Sequence, residues 1–192
     1  MATDAAARPM TTADLLAIPD DGRRRWLIDG VIHEQAAEPE FPMTIRNRFH
    51  SEAMANIATE LNVWRRTLPR PWGRVVCGEC GVILPTGTVG VDVAYVPPEV
   101  AVNRAADTTL VRGVPTLIVE ILSPSDTQDE LKVMRAAFRT AGVPLIWVVD
   151  PDERTVQIFP LGGRPTLVND AEELTGGDAL PGFRVPVARL FE

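Results

Sequence analysis

Apolar residues recur along this chain with two periods. Phe49, Ala53, Ile57, Leu61 and Trp64 return every three or four residues, which predicts a helix over about Thr44 to Thr67 with one apolar stripe. Leu131, Met134, Phe138 and Ala141 repeat that spacing and predict a second helix from about Thr127 to Ala141, ended by Gly142 as a C-cap. Shorter apolar runs read as strands: Arg74 to Leu84, Val91 to Val96, Thr116 to Leu122, and Leu145 to Val149, the last closed by Asp150-Pro151. Trp26 to Ile32 reads as a hairpin turned at Asp29-Gly30. Thr155 to Phe159 and Pro165 to Val168 read as an edge hairpin across Gly162-Gly163. A short helix over Ala13 to Ala17, capped by Thr11 or Thr12 and stopped by Pro19, opens the pattern. A loop rich in Glu and Pro fills Glu34 to Pro42, and Pro181 to Pro186 packs back before a final turn.

The order strand, strand, helix, strand predicts an α/β fold: a mixed β-sheet flanked by helices, with an N-terminal hairpin and a C-terminal edge hairpin. The second helix should be the crossover between two parallel strands, Thr116 to Leu122 and Leu145 to Val149. The length of 192 residues suits one domain with its own core, over 11–192, after a flexible N-terminus, 1–10. Apolar residues at 45% and charged residues at 23% are globular values. No apolar run approaches the roughly 20 residues that span a bilayer, so no membrane partner is expected. Met1 to Pro9 has no apolar h-region, and two cysteines, Cys77 and Cys80, make no disulfide framework; both point to the cytoplasm.

Two acids interrupt otherwise apolar strands. Asp92 lies in Gly90-Val91-Asp92-Val93-Ala94-Tyr95-Val96, and Glu120 in Leu117-Ile118-Val119-Glu120-Ile121-Leu122. A carboxylate in a buried strand is costly unless it is paired or metal-bound. Two on neighbouring strands suggest convergence on one site, where oxygen ligands suit Mg²⁺ or Mn²⁺. Pairing with arginines accounts for the same spacing equally well.

Longer motifs narrow the choice. Glu120-Ile121-Leu122-Ser123-Pro124-Ser125, a helix, and then Ala141-Gly142-Val143-Pro144-Leu145-Ile146-Trp147-Val148-Val149-Asp150-Pro151 together resemble the Uma-two family of the PD-(D/E)XK nuclease superfamily. Leu27-Ile28-Asp29-Gly30, His50 at the opening of the long helix, and Gly176-Gly177-Asp178-Ala179-Leu180-Pro181-Gly182-Phe183 are similar to it as well, so the resemblance covers roughly residues 11 to 191. It implies a restriction-endonuclease-like fold, a DNA substrate and a homodimer. It also implies a divalent metal, Mg²⁺ or Mn²⁺, held by Asp92, Glu120 and the backbone carbonyl of Ile121. The superfamily's lysine two residues after the Glu is Leu122 here, and the Uma-like lysine on the following helix falls on Met134. Lys132, the single lysine beside eighteen arginines, lies two residues away, about 200° around the helix with Gln128, Arg135 and Arg139. It takes the catalytic role only if that helix is rotated or its first turn is irregular. Trp26 stands where the family commonly has Glu, Val91 replaces a proline, and Phe138 keeps an aromatic position.

Other features weigh less. The net charge of −7 counts mildly against nonspecific nucleic-acid binding, although the local field of a groove decides that. Arg46, Arg48, Arg65 and Arg66, near the ends of the long helix, read as a solvated face, with a phosphate contact as the alternative. Cys77-Gly78-Glu79-Cys80 lacks the four ligands of a zinc site and reads as two small buried residues. His50 is a candidate base or phosphate donor, and Ser123 and Ser125 are read as satisfying backbone groups where strand turns into helix. Three functions follow: a metal-dependent endonuclease, a nuclease scaffold kept as a binding or assembly module, or a metal-dependent hydrolase of a smaller phosphate ester.

Overall fold

The structure, a computed structural model, describes residues 8–35, 48–101, 109–124 and 126–192. Helix α1 (Thr12–Leu16) opens with a capping box between Thr11 and Asp14. Strands β1 (Arg25–Ile28) and β2 (Val31–Glu34) form the expected hairpin on the Asp29-Gly30 turn, with both turn residues at positive φ. Met10 donates its N–H to the Gly30 carbonyl, so residues 9 and 10 pack on that turn. Most of the loop from Glu34 to Pro42 and the start of the long helix, with Arg46, lie outside the described residues.

Helix α2 (Arg48–Arg65) is followed by β3 (Arg74–Leu84) and β4 (Gly87–Val96), an antiparallel pair joined by Pro85-Thr86. β4 therefore starts four residues before the apolar run that announces it. Helix α3 (Pro98–Ala101), β5 (Val111–Arg112) and β6 (Leu117–Ile121) follow. Helix α4 (Gln128–Thr140) then carries the chain to β7 (Leu145–Asp150). β6 and β7 are parallel, Leu117 beside Leu145, so α4 is the predicted crossover. The meander β8 (Thr155–Pro160) and β9 (Thr166–Asn169) continues the sheet to one edge. A separate pair, β10 (Glu173–Thr175) with β11 (Arg184–Pro186), and a 3₁₀ turn over Val187–Phe191 close the chain.

The sheet runs β2-β1-β4-β6-β7-β8-β9, with β3 against β4 and β5 against β3. Helix α2 and the C-terminal tail cover one face, where Ile57, Leu61 and Trp64 meet Val119, Trp147 and Phe183. Helix α4 covers the other, where Met134, Ala137 and Phe138 meet Val91, Ile118 and Ile146. Burying a side chain of this size contributes roughly 1.5–3 kcal/mol, which is why these two stripes hold the layers together.

On its edge away from β3, strand β4 changes partner. Its first residues pair with β1 (Leu27 opposite Thr88), and its last pair with β6 (Val93 opposite Val119). The gap between these two partners is a fork in the sheet. Gly87 anchors the β1 side, because a Cβ there would overlap the Leu27 carbonyl oxygen. Gly87→Ala should therefore cost about 1–3 kcal/mol as an overpacking change, seen as a fall in melting temperature of roughly 2–12 °C. A fall below 1 °C would show that β1 is free to move away.

Candidate metal and nuclease site

The fork holds the two acids. One further step of the β4–β6 register sets Asp92 opposite Glu120, just beyond the last ladder pair. Both are buried, Asp92 at 1% and Glu120 at 4% relative exposure. Asp92 Oδ2 accepts the Ile121 N–H at 2.8 Å and lies 3.3 Å from His50 Nε2. Asp92 Oδ1 and Glu120 Oε1 are buried without a hydrogen-bond partner.

His50 reaches Asp92 because it occupies the first inward position of α2. The buried stripe is His50, Ala53, Ile57, Leu61 and Trp64, whereas Phe49 is half exposed under the Arg48 guanidinium. The spacing that assigns Phe49 to the core is off by one at this end. A polar residue facing inward carries no hydrophobic signal, so apolar periodicity alone passes over it.

Three further charged residues enter the fork. Arg24, just before β1, donates to Glu120 Oε2 at 3.1 Å and to the Gly90 carbonyl at 3.3 Å. It also lies 3.4 Å from Glu79 and 3.9 Å from Asp126, with its side chain only 14% exposed. Glu79 arrives through a β-bulge: Gly78 and Glu79 together face Asp92, and both have positive φ. Bulges of this kind re-aim side chains next to functional sites. Asp126 accepts from the Ser123 amide and hydroxyl, which fixes the turn between β6 and α4, and Ser125 lies outside the described residues.

Sequence reading passed over these three. The glycine of Cys77-Gly78-Glu79-Cys80, set inside a strand, is a bulge signal. The bulge leaves Cys77 opposite Val93 and Cys80 opposite Val91. Both thiols are free, Cys77 exposed and Cys80 half-buried, so neither is a buried packing residue. Arg24 is one of three consecutive arginines with nothing in the sequence to mark it.

The charges divide the two acids. Burial pushes the Glu120 carboxyl up to about 8, against the pull of the Arg24 guanidinium and with the added push of Asp92. Burial also acts upward on Asp92, but the His50 imidazole 3.3 Å away, the Ile121 N–H and the charge of Arg24 outweigh it and hold that carboxyl below its usual range.

Lys132 is not brought to the acids. It is exposed and pairs with Asp129 at 3.1 Å, on the side of α4 away from the buried Leu131, Met134, Ala137 and Phe138. Met134 is 4% exposed and shares one core cluster with Trp26, which stacks on His33. Ile121 touches Asp92 through its amide.

A divalent metal can be tested against this geometry. Among the described residues, no group of three or more His, Cys, Asp and Glu side chains is arranged to hold an ion. Mg²⁺ needs fewer, since it takes one or two carboxylates and keeps several waters. Asp92 Oδ1 and Glu120 Oε1 supply two hard oxygens that no protein donor satisfies, and the pair fits that demand.

The model of the family described as Uma2, putative restriction endonuclease, matches residues 13–188. The chain belongs to the Uma2 family. Among solved structures it is similar to a protein from Anabaena variabilis ATCC 29413, described as a putative nuclease belonging to DUF820. That likeness has a TM-score of 0.76 at 17% identity and covers 95% of this chain and 98% of the other, which establishes a shared fold. No curated protein matches the chain. The mixed sheet and its flanking helices are thus the Uma2 member's nuclease fold, and no described helix is long and apolar enough to cross a membrane.

Proposed function

We propose that this Uma2 member hydrolyses DNA phosphodiester bonds at the fork between β1 and β6, with Mg²⁺ or Mn²⁺ held by Asp92, Glu120 and the Ile121 carbonyl. The observation that carries the reading is the pair of buried carboxylate oxygens, one on each acid, left without a hydrogen-bond partner. The ion would supply Lewis-acid chemistry to a phosphoryl oxygen. The chain supplies the positioning. The Ile121 N–H and His50 hold one oxygen of Asp92 and leave the other free. Arg24 does the same for Glu120, fixing Oε2 and leaving Oε1. His50 acts on Asp92 and is a positioning residue in this reading. The free cysteines fit a reducing compartment, the cytoplasm, and we carry the homodimer as part of the proposal, measured by sedimentation velocity.

One observation favours a second reading, a nuclease scaffold kept for binding or assembly. The lone lysine faces solvent, and Met134 and Trp26 fill the core where the resemblance places a lysine and a glutamate. Cleavage of plasmid and linear DNA in Mg²⁺ or Mn²⁺ decides between them, with Asp92→Ala, Glu120→Ala and Met134→Lys in parallel. We expect nicking by the unaltered chain, reduced at least a hundredfold in both acid variants, the scale at which losing one preorganised electrostatic partner acts. Cleavage by Met134→Lys alone, or by none of the proteins, would favour the binding module.

A further inference from the structure

Residues 61–78 contain four arginines, Arg65, Arg66, Arg70 and Arg74, and no Asp or Glu, in a chain of net charge −7. They lie where α2 ends and β3 begins. Arg65, Arg70, Pro71, Trp72, Gly73 and Arg74 line a cavity of about 560 Å³ that includes no residue of the acid site.

The cavity is built. Arg65 donates to Asn62 Oδ1 at 2.7 Å and to the Gly73 carbonyl at 3.3 Å. Trp72 donates its indole N–H to the Leu68 carbonyl at 2.8 Å, which fixes the ring. Two guanidiniums then lie over that ring, Arg70 at 4.4 Å and Arg65 at 5.7 Å from its centroid. Stacking on an indole holds an arginine without consuming its charge. No ion pair to a carboxylate is seen for Arg65, Arg70 or Arg74 among the described residues, in contrast to Arg23, Arg24 and Arg25 at the start of β1, all of which are ion-paired. Charges held in place and left uncompensated make a local positive field that the overall charge conceals.

We propose that this cavity binds the phosphodiester backbone of DNA. The proposal rests on the DNA reading above. Phosphate is favoured over a stacked base because arginines already cover the Trp72 ring. Spacing agrees: Arg74 pairs with Val96, four residues along β4 from Asp92, or roughly 14 Å at the rise of a strand. That is about four base-pair steps at ~3.4 Å each, a separation within the length of a short duplex. Contacts of this kind place a duplex without reading its sequence.

The test is fluorescence anisotropy in EDTA, with a labelled 20-base-pair duplex and inorganic polyphosphate as probes. Arg70→Ala/Arg74→Ala is compared with the unaltered chain, and Arg66→Ala controls for charge alone, since Arg66 is exposed and does not line the cavity. Both substituted residues are exposed; if the double variant melts early, Arg74→Gln replaces it. Expected is duplex binding weakened at least about tenfold by the double variant, with the slope of log K against log salt reduced by about 2 and Arg66→Ala nearly unchanged. Equal duplex binding by all three proteins overturns the cavity and leaves the DNA reading intact. Arginine-dependent binding of polyphosphate without duplex binding overturns DNA as the ligand. Binding of neither probe overturns the cavity and counts against the DNA reading.

Discussion

In metal-free buffer the protein should lose stability as pH rises from 5 to 8, and Glu120→Gln should abolish most of that loss. The cause is the difference between a Glu120 carboxyl raised to about 8 in the fold and its ordinary value of 4.5 in the unfolded chain. Between those values the folded state holds a proton that the unfolded chain has released, so stability is full below 4.5 and is lost as pH rises through 8. At its steepest the slope is about 1.4 kcal/mol per pH unit. Asp92 acts with the opposite sign in another window: its lowered carboxyl adds stability above 3.8 that is lost as pH falls through its folded value. The two windows do not overlap, so urea unfolding at pH 5, 6, 7 and 8 reads Glu120. The amide of Glu120→Gln keeps the shape and an acceptor for Arg24 and removes the titration. We expect that variant to be inactive yet at least as stable at pH 8, because functional sites are often bought with stability. A flat profile in the unaltered chain, or the same slope in Glu120→Gln, would place the titrating proton elsewhere.

Arg24→Met should be the most destabilising single change in the fork. It removes the cation that faces Glu120, Glu79 and Asp126 and leaves those carboxylates around an apolar side chain. Breaking a buried ion pair from one side costs about 3–5 kcal/mol, or roughly 6–20 °C in melting temperature for a chain of this size. Arg24→Lys should recover little, because one ammonium cannot reach Glu120, Glu79 and the Gly90 carbonyl with the geometry of a guanidinium. Adding Glu120→Gln to Arg24→Met should restore part of the loss, since the two residues are in contact and their effects are not additive. A loss below 2 °C, or full recovery by lysine, would mean that solvent already neutralises the cluster.

Much of the sheet was legible because its strands are nearly continuous apolar runs. Within such a run a carboxylate is a local contradiction, which is how Asp92 and Glu120 stand out. The crossover through α4 was legible from periodicity, and the inward place of Met134 with it. What stayed hidden depends on contacts distant in sequence. Arg24 lies 96 residues from Glu120, and only the fork in β4's pairing brings them together. Glu79 depends on a bulge whose effect is set by the partner strand. The pair β10–β11 and the short β5 are too brief to carry a period.

The bulge also bears on how such a site can be gained or lost. Two residues of β3 stand across from one of β4, while both flanks of the hairpin remain in register. Deleting one codon at Gly78-Glu79 would restore a one-to-one ladder without shifting Asp92 against β6. When the codon lost is that of Glu79, one of the four acids of the fork goes with it, so a change of length in one hairpin adds or removes a charge there while both flanks keep their register.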